Sequence, residues 1–315
     1  MRPIPLERIR DAAGLISDTV VRTPLIRADL GGPNQVFLKL ESLQPVGSFK
    51  IRGAANAVRR LSEAERAKGV WTVSAGNAAQ GVALAARGVG AACSALVFDT
   101  APEAKLAALE RLGVRIVKAS YDECWSTVER GVSDRMTGRF VHPFDDDDFI
   151  AGNGTIGLEI FEDLPDVDVV IAAMGGGGLL GGVASALHAL RPGVRVFAAE
   201  PETAAPLSAS LAAGRAVAAP TWQASFVDGA GGRSVLPSMW PLLSHVVDGA
   251  IVVTLAEVRR AMRVVAERVH VICEGAAGCA VAAAMSGRAG PGRTVAIVSG
   301  GNVDLPRFAE LVGAC

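Results

Sequence analysis

Three observations predict an α/β fold with mostly parallel sheets flanked by helices. Short, continuous apolar runs recur along the chain, each bounded by Gly, Pro or charged residues. Helix-like patterns lie between them, as crossover connections require. Aromatic residues make up only 5% of the chain while Ala and Gly abound, so the core is built from small and aliphatic side chains.

In order, Val70 to Val73 reads as strand, Gln80 to Arg87 as helix and Ser94 to Phe98 as strand. Pro102 to Leu112 is helical, and Val114 to Lys118 is again a strand. Further strands are expected at Val167 to Ala173, Val194 to Ala198, Ala250 to Thr254 and Thr294 to Val298, with a helix over Leu255 to Val269. A chain of 315 residues accommodates one large domain or two modest ones. The compact stretch 63–148 reads as a small domain inserted into a larger one formed by 1–62 and 149–315. The acidic run Asp145 to Asp148 then marks a solvated crossover, since it lacks the spacing and turn glycine of a calcium loop.

Composition removes several function classes. The net charge of -1 and the absence of a basic stripe argue against nucleic acid as a partner. The cysteines Cys93, Cys124, Cys273, Cys279 and Cys315 form no C-x-x-C pair, which points to buried thiols in a reducing compartment. The histidines His142, His188, His245 and His270 lie far apart, so no catalytic metal is expected. No long apolar stretch suggests a signal peptide or membrane span, and a soluble, cytoplasmic protein is expected.

Four segments carry chemistry. In Gly47-Ser48-Phe49-Lys50-Ile51-Arg52-Gly53, Gly47 permits a turn and Ser48 suits the N-cap of a following helix. Lys50 then falls in the first helical turn, where the macrodipole disfavours its charge and favours the nucleophilic amine. Ser74-Ala75-Gly76-Asn77-Ala78 joins a strand to a helix and suits a carboxylate, although an ordinary turn reads the same way. Gly175-Gly176-Gly177-Gly178-Leu179 leaves backbone donors uncovered to wrap a phosphate, and no structural need for so many glycines is evident from sequence. Gly176, Gly178 and Gly181, with Glu200 further on, also match a dinucleotide fingerprint, so a dinucleotide-dependent oxidoreductase is the rival reading. Ser299-Gly300-Gly301-Asn302 ends the last apolar run, at the carboxyl edge where parallel sheets bind ligands.

With these segments the chain resembles the fold type II pyridoxal-phosphate (PLP) enzymes, which are two-domain, tryptophan synthase β-like proteins. Within them it is most similar to the threonine/serine dehydratase and serine racemase group. The resemblance runs from Arg22-Thr23-Pro24-Leu25 through His142-Pro143-Phe144-Asp145 and Gly152-Asn153-Gly154-Thr155 to Ser299-Gly300-Gly301-Asn302. It implies that Lys50 carries the cofactor, with Phe49 and Asn77 beside the pyridine ring and its hydroxyl. Gly175 to Leu179 would cradle the phosphate, Ser299 would meet the ring nitrogen, and Glu274 would lie near the cofactor. Ser74, Ala75, Gly76, Asn77 and Ala78 would hold the substrate carboxylate. The implied reaction is β-elimination from a β-hydroxy amino acid such as L-threonine or L-serine, giving a 2-oxo acid and ammonia, in a homodimer.

Several positions depart from the family pattern. Racemases place a second base where this chain has Ala75, which cannot exchange a proton, so dehydration is favoured over racemisation. Ala78 stands where a His is usual, which suggests room for a bulkier or acidic substrate such as hydroxyaspartate or an aryl-serine. The cation site that begins at a Glu-Pro like Glu200-Pro201 lacks its second carboxylate, because that position is Pro206. Val227 to Arg233 is glycine-rich and reads as a mobile loop beside the cleft, with Arg233 a substrate-contact candidate. With Cys315 closing the last helical stretch, no appended regulatory domain is expected.

Overall fold

The structure is a computed structural model describing residues 3–31 and 34–313. Ten strands form two sheets: β1 (Leu25–Ala28), β2 (Val36–Lys39), β3 (Val70–Val73), β4 (Cys93–Phe98), β5 (Arg115–Ala119), β6 (Arg139–Phe140), β7 (Val169–Ala173), β8 (Arg195–Pro201), β9 (Gly249–Val253) and β10 (Thr294–Ile297). The larger sheet runs β1-β2-β10-β7-β8-β9 and the smaller runs β5-β4-β3-β6. Only the edge pair β1–β2 is antiparallel; the other named pairs are parallel.

Burial explains why the apolar runs are continuous. All residues of β3, β7 and β10 are buried, because helices cover both faces. The core between layers uses alanine wherever helices approach closely. The helix Gly275–Ser286 is buried over ten of its residues, mostly alanine, against Val169, Ile171 and Ala296 of the large sheet. A Cβ on Gly182 would meet the Ile150 carbonyl, and one on Gly154 would come within 2.9 Å of Ile9, so these glycines set the packing distance between helices.

Every expected strand is present, all but β8 within two residues of the expected ends; β8 runs three residues further, to Pro201, and the helix Leu255–Val269 matches to the residue. Three short strands were not expected: β1, β2 and β6. The acidic run is partly exposed, but it opens a helix and is not a loop. Asp146 caps the helix Asp147–Asp163 by accepting the Phe149 amide at 2.9 Å, and Asp147 and Asp148 form its first turn. Carboxylates there complement the helix dipole. Ser48 is not an N-cap either. The helix Lys50–Arg59 follows Phe49 without a side-chain cap, and the buried Ser48 hydroxyl has no partner among the described residues. Cys124, Cys273 and Cys279 are buried thiols, Cys93 is partly exposed, and Cys315 lies outside the described residues. No described helix is long and apolar enough to cross a membrane, and no metal-ligating cluster occurs among the described residues.

Candidate active site

The four sequence-predicted segments meet in a closed circuit of contacts. Lys50 Nζ donates to the Pro143 carbonyl at 2.6 Å. The next residue, Phe144, lies where a Cβ on Gly176 would stand, and its carbonyl would be 2.7 Å from a Cβ on Gly178. A Cβ on Gly175 would lie 2.7 Å from the Gly229 carbonyl, and one on Gly229 would lie 3.6 Å from Glu274 Oε1. Glu274 Oε1 accepts from Asn77 Nδ2 at 2.8 Å, and the Glu274 amide donates to the Gly300 carbonyl at 3.0 Å. Ser299, 3% exposed, accepts from the Phe49 amide at 3.0 Å through its carbonyl, which returns the circuit to Lys50.

Each member is placed by backbone. Lys50 opens its helix beside the bridge between Ser48 and Gly300. Asn77 opens the helix Asn77–Gly88 at the end of β3, and Gly81 of that helix packs against the Lys50 backbone, 3.0 Å from an added Cβ. The glycine loop follows β7 and enters the helix Gly178–Leu190 through Gly177, whose φ of 92° is left-handed and suits glycine. These glycines do have structural reasons, contrary to the sequence-based expectation: Phe144, Gly229 and Leu243 leave no room for side chains.

Electrostatics separate Lys50 from an ordinary lysine. Burial pushes its amine down to about 8, with Glu274 acting in the opposite direction. The Phe49 and Phe149 rings flank Nζ at 5.2 and 5.4 Å. Burial pushes the Glu274 carboxyl up to about 7, opposed by the Asn77 hydrogen bond. Asn77 is held twice, because its Oδ1 accepts from Asn302 Nδ2 at 2.7 Å, which also donates to the Val46 carbonyl. One Asn77 N–H is left over.

The Ser74 hydroxyl accepts the Gly76 amide at 3.1 Å. Ala75 belongs to an apolar cluster with Ala79, Ala83, Ala95 and Val97, and Ala78 is 4% exposed. Arg233 is stacked between Tyr121 and Trp222, 4.2 and 4.3 Å from their centroids, which ties the 219–235 segment to the smaller sheet's side of the molecule. Pro143 carries no sequence signal as a lysine partner, because a carbonyl has no residue signature. Asn302 was visible only as the last residue of its segment.

The dinucleotide reading fails on geometry. The Glu200 carboxylate, which would meet a ribose, is fully buried and accepts the amides of Leu207 at 2.7 Å and Ser208 at 2.8 Å. Burial pushes it up to about 7. It caps the helix Pro206–Ala213 instead.

The α/β fold, with Lys50 joined through the 143–144 turn to the glycine loop after β7, is that of a fold type II PLP protein. The chain belongs to the pyridoxal-phosphate dependent enzymes, whose family model matches residues 16–300. It is 39% identical to an L-threonine ammonia-lyase of Thermotoga maritima, over 98% of this chain and 78% of that protein. It is 36% identical to a catabolic L-threonine dehydratase of Staphylococcus aureus, over 98% of this chain and 92% of that one. The structure of maize serine racemase superposes with a TM-score of 0.90 at 32% identity, covering 99% of this chain and 98% of that chain.

The residues present fit the family's cofactor. Among the described residues, the amides of Gly175, Gly176 and Gly177 meet no protein acceptor, and they precede a helix N-terminus. A buried amine, a spare Asn77 N–H and the buried Ser299 complete a set of donors for a phosphorylated pyridine aldehyde.

Proposed function

We propose that this enzyme eliminates water from a small β-hydroxy amino acid, with L-threonine or L-serine as substrate, to give a 2-oxo acid and ammonia. The observation that carries the reading is the circuit joining Lys50, the glycine loop, Asn77, Glu274 and Ser299. The names of the relatives, threonine ammonia-lyase and threonine dehydratase, support it.

The division of labour follows from chemistry at each position. Gly175, Gly176, Gly177, Gly178 and Leu179 would hold the phosphate through amide N–H groups. Phe49 and Asn77 would flank the ring, Ser299 would hydrogen-bond its nitrogen, and Glu274 would fix Asn77. PLP, when bound, supplies an electron sink that acidifies the substrate's Cα–H and lets the β-substituent leave. Lys50 would hold the cofactor through its amine and, with that amine free, would take the substrate's Cα proton as general base. A base near pKa 8 is matched to that task at neutral pH. Ser74, Ala75, Gly76, Asn77 and Ala78 would receive the substrate carboxylate at a helix N-terminus. A methyl group at Ala75 offers no second base on the far face, which favours elimination over racemisation.

In this reading 63–148 is a small domain closing on a large domain of 1–62 and 149–315, and the enzyme is a cytoplasmic homodimer. The test is direct. The purified protein should show a visible absorption band that borohydride bleaches, and L-threonine or L-serine should yield a 2-oxo acid. Lys50→Ala should lose both. A faster loss of optical activity than release of 2-oxo acid would favour a racemase. Preference for hydroxyaspartate or an aryl-serine over both would assign the bulkier substrate class.

A further inference from the structure

His142 has no role in the chemistry above, yet it is the best-anchored titratable side chain beside Lys50. It lies just beyond β6 and is 9% exposed. Its Nδ1 accepts two amides, from Phe144 at 3.3 Å and Asp145 at 2.8 Å. With Nδ1 accepting, the ring proton sits on Nε2, which donates to the Val128 carbonyl at 3.2 Å in the helix Tyr121–Arg130. Phe140 and Phe144 flank the ring edge-to-face, with centroids at 5.4 and 4.6 Å. Burial pushes the imidazole down to about 4, against the pull of Asp145 and the Val128 hydrogen bond, while Lys50 reinforces the shift. The neutral ring this geometry needs is therefore the form favoured at neutral pH, and its hydrogen bonds assign the proton to Nε2.

The turn organised by this ring touches both halves of the candidate site. Pro143 has no N–H, so the hydrogen bonds that can fix the turn come from Phe144 and Asp145, and one imidazole accepts both. Between them sit the Pro143 carbonyl, which holds Lys50 Nζ, and Phe144, which fills the space beside Gly176 and Gly178.

We propose that His142 is a positioning residue for Lys50: by accepting the Phe144 and Asp145 amides, its ring sets the Pro143 carbonyl against the lysine. The inference rests on the role given to Lys50 under Proposed function.

Two variants separate positioning from plain packing. His142→Phe keeps a ring between Phe140 and Phe144 but has no acceptor. His142→Asn keeps an acceptor for amides two and three residues on, as in an Asx-turn, and loses the ring between Phe140 and Phe144 and the reach to Val128. Three quantities are read: hydrogen exchange at Phe144 and Asp145, acylation of Lys50 in the cofactor-free protein, and kcat with KM for L-threonine in the loaded enzyme. For His142→Phe we expect lost protection at the two amides, acylation of Lys50 at least about threefold faster, and kcat down at least about tenfold with KM within about threefold. His142→Asn should keep the protection and stay within about threefold of wild-type kcat. The proposal is overturned if His142→Phe loses amide protection while Lys50 acylation and kcat stay at wild-type values. Should His142→Phe not fold, a loss of kcat in His142→Asn of about tenfold or more, with both amides still protected, overturns it as well. If the wild-type protein forms no 2-oxo acid, the proposed reaction fails, while exchange and acylation still decide the role of His142.

Discussion

Lys50 and Arg52 are two cations on the same helix, two residues apart, and the protein treats them in opposite ways. Arg52 is fully buried and fully met. Its guanidinium donates to both oxygens of Glu41 at 2.8 Å, to Glu159 at 2.7 and 2.9 Å, and to Thr155 at 3.1 Å. Lys39, also fully buried, closes the cluster on Glu159 at 2.6 Å, and Thr23 donates to Glu41 at 2.6 Å. Burial works to lower the Arg52 pKa, but Glu41 and Glu159 more than reverse it. Among the described residues Lys50 has no carboxylate in contact; its one hydrogen-bond partner there is a neutral carbonyl, and burial wins. A cation paired on every side stays charged and holds the fold, whereas one left with a carbonyl becomes a usable amine.

The largest expected effect breaks the structural half of this comparison. Arg52→Met should destabilise the protein by about 3–5 kcal/mol in urea unfolding, because Glu41 keeps its burial and loses its cation. A change below about 1 kcal/mol would show that the pairing carries little of the stability. The next sharpens the chemical half. Glu274 is the nearby carboxylate that raises the Lys50 pKa, so Glu274→Gln should move the lysine further down from about 8. In the cofactor-free protein, the pH midpoint of Lys50 acylation should then fall below that of wild type, with more neutral amine at any given pH. An unchanged or higher midpoint would remove Glu274 from the electrostatics of the site. The smallest effect concerns Glu200, another buried charge-bearing group, whose two oxygens are both occupied by backbone amides. Adding a chelator should leave activity and melting temperature unchanged, and a clear drop in either would mean that a cation competes with the helix cap.

Much of the site was legible because its chemistry needs particular residue types in short segments. Lysine next to a turn glycine, four consecutive glycines after an apolar run, and an Asn at a helix start each leave a local trace. What was missed acts through backbone or through distant partners. The Pro143 carbonyl, the two-sided hold on Asn77 by Glu274 and Asn302, and the grip of His142 on two amides have no signature in spacing. Ser48 misled for a related reason: a good capping residue in sequence is a cap only if the following turn leaves its hydroxyl within reach of an amide. The dinucleotide fingerprint failed in the same way, since a motif of glycines and one acid says nothing about what the acid already holds.

The sequence by itself determined the alternation of buried strands and helices, the mostly parallel sheets, and the residues able to do the chemistry. Those properties depend on side-chain period and on local backbone freedom. Only the tertiary structure decided which charges are satisfied. Arg52 was one more charged residue beside Lys50 until Glu41 and Glu159, the latter 107 residues away, came to meet it. Ionisation is set by what surrounds a group in space, and for Lys50 the absence of a paired carboxylate is as much a product of folding as the pairing of Arg52.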